Sequence, residues 1–535
     1  MNYDVIVLGS GPAGLETAKR TAAAGKRTAL VTVTPAGGRT TVGSLLPSKV
    51  WLHAAHQRTP EATGTRLTPE ETQRIAGEVR NRIKSRVAYT TSELTAAGVE
   101  LHQGTGRITA PGKVTVTTQQ GDAPPAESHL AAPAIVIATG SEPTFSPEVR
   151  PDGERIIAPR FTKELRDVPE TLVMVGGGIT GVEYSEAFAR LGSRVTLVSS
   201  REILPSFNRD HAQRVADHLR NLGVTIVTGE RVASVERTGP GEQARATSDN
   251  GATAGHDAAS GNDAASGNDA ASGNDGQARV RATTVGGRTF EAEIAFIATG
   301  RAADLTLFNE DRSSSSIREK ITDDEGRFIR VDRYGRTAEN GIYACGDATG
   351  PPFTANRALW QGRRVASAIL EENEPDSGEP RSESTAGSPA LIEAVFTDPQ
   401  LARIGDDRGS SRDDNRDGGG DGGDSGDVEG GGDVFETRGA SDDHRQGAHG
   451  LRVHRRSWAV SMLDTIHGGL EPEARSGELM VWTDDEGLIR GASAFGRGAA
   501  EVLAPIQVAM NNGITWEALT AVPLAYPTLS EVVTS

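Results

Sequence analysis

Two stretches of the chain share one order of apolar and polar positions. The first, "YDVIVLGSGPAGLETAKRTAAAGKRTALVTV", opens on an unbroken apolar run, Val5 to Leu8, passes through three glycines into an alanine-rich helix and ends in a second apolar run. The second, "ETLVMVGGGITGVEYSEAFARLGSRVTLVSSREILPSF", repeats that order, with apolar runs at 172–175 and 195–198 on either side of an amphipathic helix. Continuous apolar runs, rather than alternation, are the mark of strands buried on both faces of a parallel sheet. Each stretch therefore predicts strand, glycine turn, helix, strand. Near the C-terminus the pattern changes. There "LMVWTDDEGLIRGASAFG" places two apolar segments around a turn at Asp484 to Gly487 and predicts a hairpin.

Three segments offer nothing to bury. Residues 257–274 are three copies of D-A-A-S-G-N, residues 371–389 are rich in Glu, Ser, Pro and Gly, and residues 406–450 run through "RDGGGDGGDSGDVEGGGD". With few aromatic or β-branched residues, they read as a disordered insert (251–276), a linker (371–389) and a second disordered insert (406–450). The rest of the 535 residues suffices for three domains.

Composition sharpens this division. The formal net charge is -17, which disfavours a nucleic-acid or anionic-membrane partner. The three segments carry -4, -5 and -8 in chain order, so the remainder is formally neutral. Lysine is scarce, seven residues against 49 arginines. No apolar stretch approaches the ~18 residues of a membrane span. The single cysteine excludes an internal disulfide, a dithiol pair and a cysteine-rich zinc site, and no metal site is expected. With no leader-like segment ahead of the first apolar run, it points to a cytoplasmic location.

The glycines carry the first chemistry. Gly9, Gly11 and Gly14 form G-x-G-x-x-G, in which the first glycine permits a tight turn, the second a close approach of backbone to pyrophosphate, and the third close packing of helix on strand. The N-terminus of the following helix offers N–H groups and a positive dipole end to phosphate. Gly176, Gly178 and Gly181 repeat the fingerprint. Two such units imply two dinucleotides, or one dinucleotide and one flavin. The second strand of each unit usually ends in an acid that binds ribose hydroxyls. Thr32 stands there in the first unit, and Ser199, Ser200 and Arg201 follow in the second. Ser199 and Arg201 suit a 2′-phosphate, favouring NADPH over NADH.

The fingerprints, taken with "AIVIATGSEP" at 134–143, "IAFIATGR" at 294–301, "GIYACGDATG" at 341–350 and "AVFTDPQLARIG" at 394–405, closely resemble the class I pyridine nucleotide-disulfide oxidoreductases, the flavoenzymes that include dihydrolipoamide dehydrogenase, glutathione reductase, mercuric reductase and soluble transhydrogenase. The resemblance implies an α/β protein of two doubly wound dinucleotide-binding domains, for FAD and NAD(P), plus a C-terminal α+β dimerisation domain. The expected limits are 1–150 with 301–370 for FAD, 151–300 for NAD(P) and 390–535 for dimerisation. It implies further that Asp347 bonds the flavin's ribityl and pyrophosphate region, and that the helix opening near Ala355 points its dipole at the flavin. Gly106, Thr139, Gly140 and Gly300 join the cofactor-binding set. Lys49 would sit near flavin N5 and pair with Glu183.

Two departures bear on mechanism. In the family the segment before that lysine runs G-G-T-C-L-N-V-G-C-I-P-S-K, and its cysteines form the redox disulfide. Here it is "GGRTTVGSLLPSK", with Thr40 and Leu45 at the cysteine positions. The lone Cys345 lies in "ACGD" and reads as a small buried apolar residue. The family ends in H-P-T-x-x-E, whereas this chain has "YPTLSE": Tyr526 replaces the histidine and Glu531 remains. A tyrosine with an ordinary pKa near 10 is a poor base at neutral pH. The expectation is a homodimeric FAD-dependent oxidoreductase that passes hydride from NAD(P)H to FAD and then electrons directly to a small-molecule acceptor such as a quinone, a dye, a second pyridine nucleotide or a metal complex. The alternatives are dihydrolipoamide dehydrogenase activity and a non-catalytic flavin- or nucleotide-binding dimer.

Overall fold

The computed structural model describes residues 1–59, 61–119, 124–238, 279–308, 312–371, 389–407, 451–458, 477–525 and 528–534. The repeat at 257–274 and most of the linker and of the 406–450 segment lie outside them. The described residues fall into two compact units, one drawn from 1–203 and 218–387, the other from 204–217 and 388–535.

The first unit holds two parallel five-stranded sheets. In one, the order is Ile342–Ala344, Ala134–Ile137, Val5–Leu8, Thr28–Thr32 and Glu100–Gln103. Its central strand is wholly buried, and alternate residues feed different cores. Val5 and Val7 pack with Ala13, Ala18, Ala358 and Val365, while Ile6 and Leu8 pack with Ile108, Val114, Leu130 and Ile317. That two-sided demand is why the run is unbroken. The other sheet runs Thr225–Val227, Arg194–Val198, Thr171–Val175, Ile294–Ile297 and Ile156–Ile157, again all parallel. Each sheet has an antiparallel three-stranded companion, 105–131 and 232–292 respectively. The chain thus contains two doubly wound dinucleotide-binding folds.

The second unit is an antiparallel sheet in the order Glu393–Val395, Gln400–Gly405, Ile489–Gly496, Glu478–Thr483 and Arg452–Ser457. The pairing of 478–483 with 489–496 is the hairpin expected from the alternation around 484–487. Helix Ala499–Asn511 packs its Val502, Leu503 and Ile506 on this sheet. Residues 204–217 join the unit through buried polar links: Asn208 N donates to Asp407 Oδ2 at 2.8 Å, and the His211 ring bonds Ser493 Oγ at 2.7 Å. Among the described residues no helix is long and apolar enough to cross a membrane.

Candidate active site

Both glycine fingerprints end a central strand and open a helix, Pro12–Ala23 and Ile179–Arg190, and neither helix has a side-chain cap. Gly9 holds φ +109° and Gly176 φ +117°, the left-handed region open to glycine. A methyl group on Gly14 would strike the carbonyl oxygen of Gly9, and one on Gly181 that of Gly176. Gly11 and Gly178, by contrast, face open space. A turn closed on its strand side, open at its middle glycine and backed by uncapped helical N–H groups is a cradle for phosphate. The residues present therefore fit a dinucleotide in each half.

Around the first turn the expected cofactor residues gather. Gly106 lies over the sheet, where a Cβ would come within 2.8 Å of Leu8. Thr139 Oγ1 donates to the Asp304 carbonyl at 2.6 Å, and Gly140 accepts from Asp304 N at 2.9 Å. Asp347 accepts from Ser141 Oγ at 2.6 Å and pairs with Arg301 at 3.1 Å. The motifs alone do not single out either partner, although each directly follows a glycine expected at the site, Gly140 or Gly300. Burial lowers the pKa of Arg301, against the pull of Asp347. Helix Ala355–Glu371 starts beside Thr354, whose buried hydroxyl has no hydrogen-bond partner, as fits a site made for a polar ligand. Thr32 is buried and already engaged: its hydroxyl donates to the Thr34 carbonyl at 2.8 Å and lies 2.7 Å from Ser10 Oγ.

At the second turn Gly300 accepts from Thr144 N at 3.1 Å. Ser199 is buried against Gly177, where a Cβ would fall 2.5 Å from its hydroxyl. Arg201 is exposed.

Two helices join these halves. Leu45–His56 buries Trp51, Leu52 and Ala55 and leaves Lys49 and His56, two turns apart, on one face. Ile179–Arg190 presents Glu183 and Glu186, one turn apart. Lys49 Nζ donates to both carboxylate oxygens of Glu183, at 2.8 and 2.7 Å, and the Glu183 side chain is only 4% exposed. The Trp51 and Phe188 rings stack at 6.5 Å. Glu186, fully buried, accepts from Arg190 Nε at 2.8 Å and is met by His218 at 3.1 Å and His56 at 3.5 Å. Burial alone would push the pKa of Glu186 up. The His218 hydrogen bond and the charges of His56 and His218 prevail and hold it down to about 2. This second rung is absent from the expected site residues, and the spacing 183/186 on an amphipathic helix is the signal that could have found it.

The disulfide segment is present without its chemistry. Thr40 lies in the short helix Gly38–Val42 and Leu45 opens the next, its side chain exposed. Cys345 is fully buried, and burial pushes its pKa up to about 12. Tyr526 lies outside the described residues. Glu531 is buried, and its Oε1 accepts from Thr528 N at 2.6 Å. Among the described residues no group of three or more His, Cys, Asp or Glu side chains could hold a metal ion.

Two dinucleotide cradles bridged by a half-buried lysine on a buried carboxylate define an oxidoreductase of the kind that joins a flavin to a pyridine nucleotide. The family model for pyridine nucleotide-disulphide oxidoreductases matches residues 3–259 and 263–362, and the model of that family's dimerisation domain matches 471–535. The chain belongs to this family of flavoenzymes, and within it carries only one cysteine. Over 544 residues it is 26% identical to an NAD(P)H dehydrogenase (quinone) of Mycobacterium tuberculosis, covering 99% of this chain and 92% of that one. It is 27% identical over 540 residues to dihydrolipoyl dehydrogenase 2 of Haloarcula marismortui, covering 99% and 95%. Its fold matches the crystal structure of LpdA from M. tuberculosis with a TM-score of 0.70 at 24% identity, over 99% of this chain and 98% of that one.

Proposed function

We propose that this enzyme oxidises NAD(P)H with bound FAD and delivers the electrons directly to a non-disulfide small-molecule acceptor, a quinone first among the candidates. The observation that carries the reading is the Lys49–Glu183 pair, kept intact beside a segment whose cysteine positions hold Thr40 and Leu45. FAD, when bound, supplies the relay: it takes hydride from the nicotinamide and returns two electrons to the acceptor. The chain's own residues do the rest. Gly9, Gly11 and Gly14 with the first helix N-terminus would hold the FAD phosphates, and Asp347 its ribityl chain. Gly176, Gly178 and Gly181 would hold those of NAD(P)H. Ser199 and Arg201 would receive a 2′-phosphate, favouring NADPH. Glu183 fixes the Lys49 ammonium in one place, so that a positive charge stands ready where negative charge develops on reduction. The N-terminal end of the Ala355–Glu371 helix would add its dipole to the same effect. The balance is NAD(P)H, H⁺ and quinone in, NAD(P)⁺ and quinol out.

The name of the mycobacterial relative agrees with a quinone acceptor. Dihydrolipoamide dehydrogenase activity, named for other relatives, requires a thiol pair that one buried cysteine does not supply. The family's dimerisation domain supports a homodimer, and we place the enzyme in the cytoplasm. Anaerobic addition of NADPH to the purified holoenzyme should bleach the flavin band, and a quinone should restore it. A flavin that stays oxidised would refute the reading. Dihydrolipoamide turnover well above that of free flavin would replace it with the disulfide chemistry of the family.

A further inference from the structure

We propose that Arg39 is a phosphate-binding residue of the flavin site, exchanging its partner Glu142 for the diphosphate of FAD when the cofactor binds. The proposal rests on the FAD reading above and adds a residue to it.

Position comes first. Gly37 N donates to the Ser10 carbonyl at 3.0 Å, and a Cβ on Gly38 would come within 2.9 Å of the Gly11 Cα and N. The backbone that carries Arg39 is therefore pressed against the middle of the first glycine turn, on which the phosphates would rest. Charge comes second. Asp347 is answered by Arg301 and Ser141, while Arg357 is hydrogen-bonded to the Gly350 carbonyl at 2.6 Å and to Thr349 Oγ1 at 3.0 Å. Arg39 is paired with Glu142. Three guanidinium groups, Arg39, Arg301 and Arg357, thus stand against the two carboxylates of Asp347 and Glu142, an excess of positive charge that an anion would relieve.

The present partner is also easily given up. The Glu142 side chain is 54% exposed while that of Arg39 is 22% exposed. An ion pair with one half in water is worth only about 0–1 kcal/mol, and a bidentate guanidinium–phosphate contact is stronger. Finally, the resemblance places an uncharged threonine at this position and an acid at position 32. This chain has Arg39 at the first and Thr32 at the second, its hydroxyl spent on Ser10 and Thr34. Affinity forgone at the ribose is made up at the phosphates.

The test compares holoenzymes of the wild type, Arg39→Thr, Arg39→Lys and Glu142→Gln by flavin release during dialysis at rising NaCl, and by the Kd of FAD on reconstitution read from flavin fluorescence. Arg39→Thr should raise the Kd about tenfold and flatten its salt dependence. Arg39→Lys should recover part of the loss, and Glu142→Gln should bind FAD at least as tightly as the wild type. A wild-type Kd and salt slope in Arg39→Thr would overturn the proposal, as would equal weakening by Glu142→Gln, which would make the ion pair merely structural. A wild-type protein that takes up no FAD at all would instead refute the underlying reading.

Discussion

The two glycine turns share one backbone solution and differ in what surrounds them. Both hold the first glycine at a positive φ, both press the third against the first, and both leave the middle one open. Around the first lie Arg39, Arg301, Asp347 and Ser141, the serine buried and the Asp347 side chain only 15% exposed. Beside the second stand a buried serine and an exposed arginine. Enclosed, charge-rich surroundings suit a cofactor that stays. Open ones suit a substrate that arrives, reacts and leaves. On the function proposed above, one local motif is tuned to residence in one half and to exchange in the other by its neighbours.

Single methyl groups should separate the two most sharply. Gly14→Ala is expected to abolish flavin retention, because the methyl strikes the Gly9 carbonyl and opens the turn. Gly181→Ala should leave a yellow protein that NADPH no longer bleaches. Absorbance at the flavin band with and without NADPH reads both, and a colourless Gly181→Ala variant would show that the halves do not act separately.

The bridge between the halves comes next. Lys49→Met leaves the buried Glu183 carboxylate without its ammonium partner, and stopped-flow reduction should slow by about 100-fold, or about 2.7 kcal/mol. An unchanged rate would reduce the pair to packing. The Glu186 rung should matter for folding more than for rate. Its pKa is lowered in the fold, so its contribution, of the order of 3 kcal/mol, is fully present above the ordinary value of 4.5 and fades as pH falls towards about 2. Glu186→Gln should lower Tm at pH 7 and weaken the loss of stability between pH 4.5 and 2, as thermal melts across that range would show. The smallest effect concerns the open site. Arg201→Ala should raise KM for NADPH about tenfold and leave KM for NADH unchanged, and equal change in both would remove the 2′-phosphate assignment.

Much of the fold was legible because its signals are local. The apolar runs at 5–8 and 172–175 named their own burial, the glycine spacing named the turns, and the alternation around 484–487 named a hairpin. The Lys49–Glu183 pair spans 134 positions and became visible only through resemblance. Glu186 was within reach of its one-turn spacing from Glu183, but its partners escaped because no short spacing joins positions 56 and 218 to 186. The cluster exists only where His218 reaches the two helices that carry His56 and Glu186. Arg301 and Arg39 escaped for a related reason, since an arginine among 49 declares its purpose only once its neighbours are known.

The chain's one sulfhydryl, sealed among Val5, Val7 and Ala358 with its pKa pushed up to about 12, has a consequence for life under stress. Oxidants and alkylating agents act on cysteine through exposed thiolate, and Cys345 offers neither exposure nor charge. An enzyme built this way offers hypochlorite, peroxide or iodoacetamide no cysteine thiolate through which to silence it. It would keep drawing electrons from its nucleotide when thiol-dependent members of the same family had stopped.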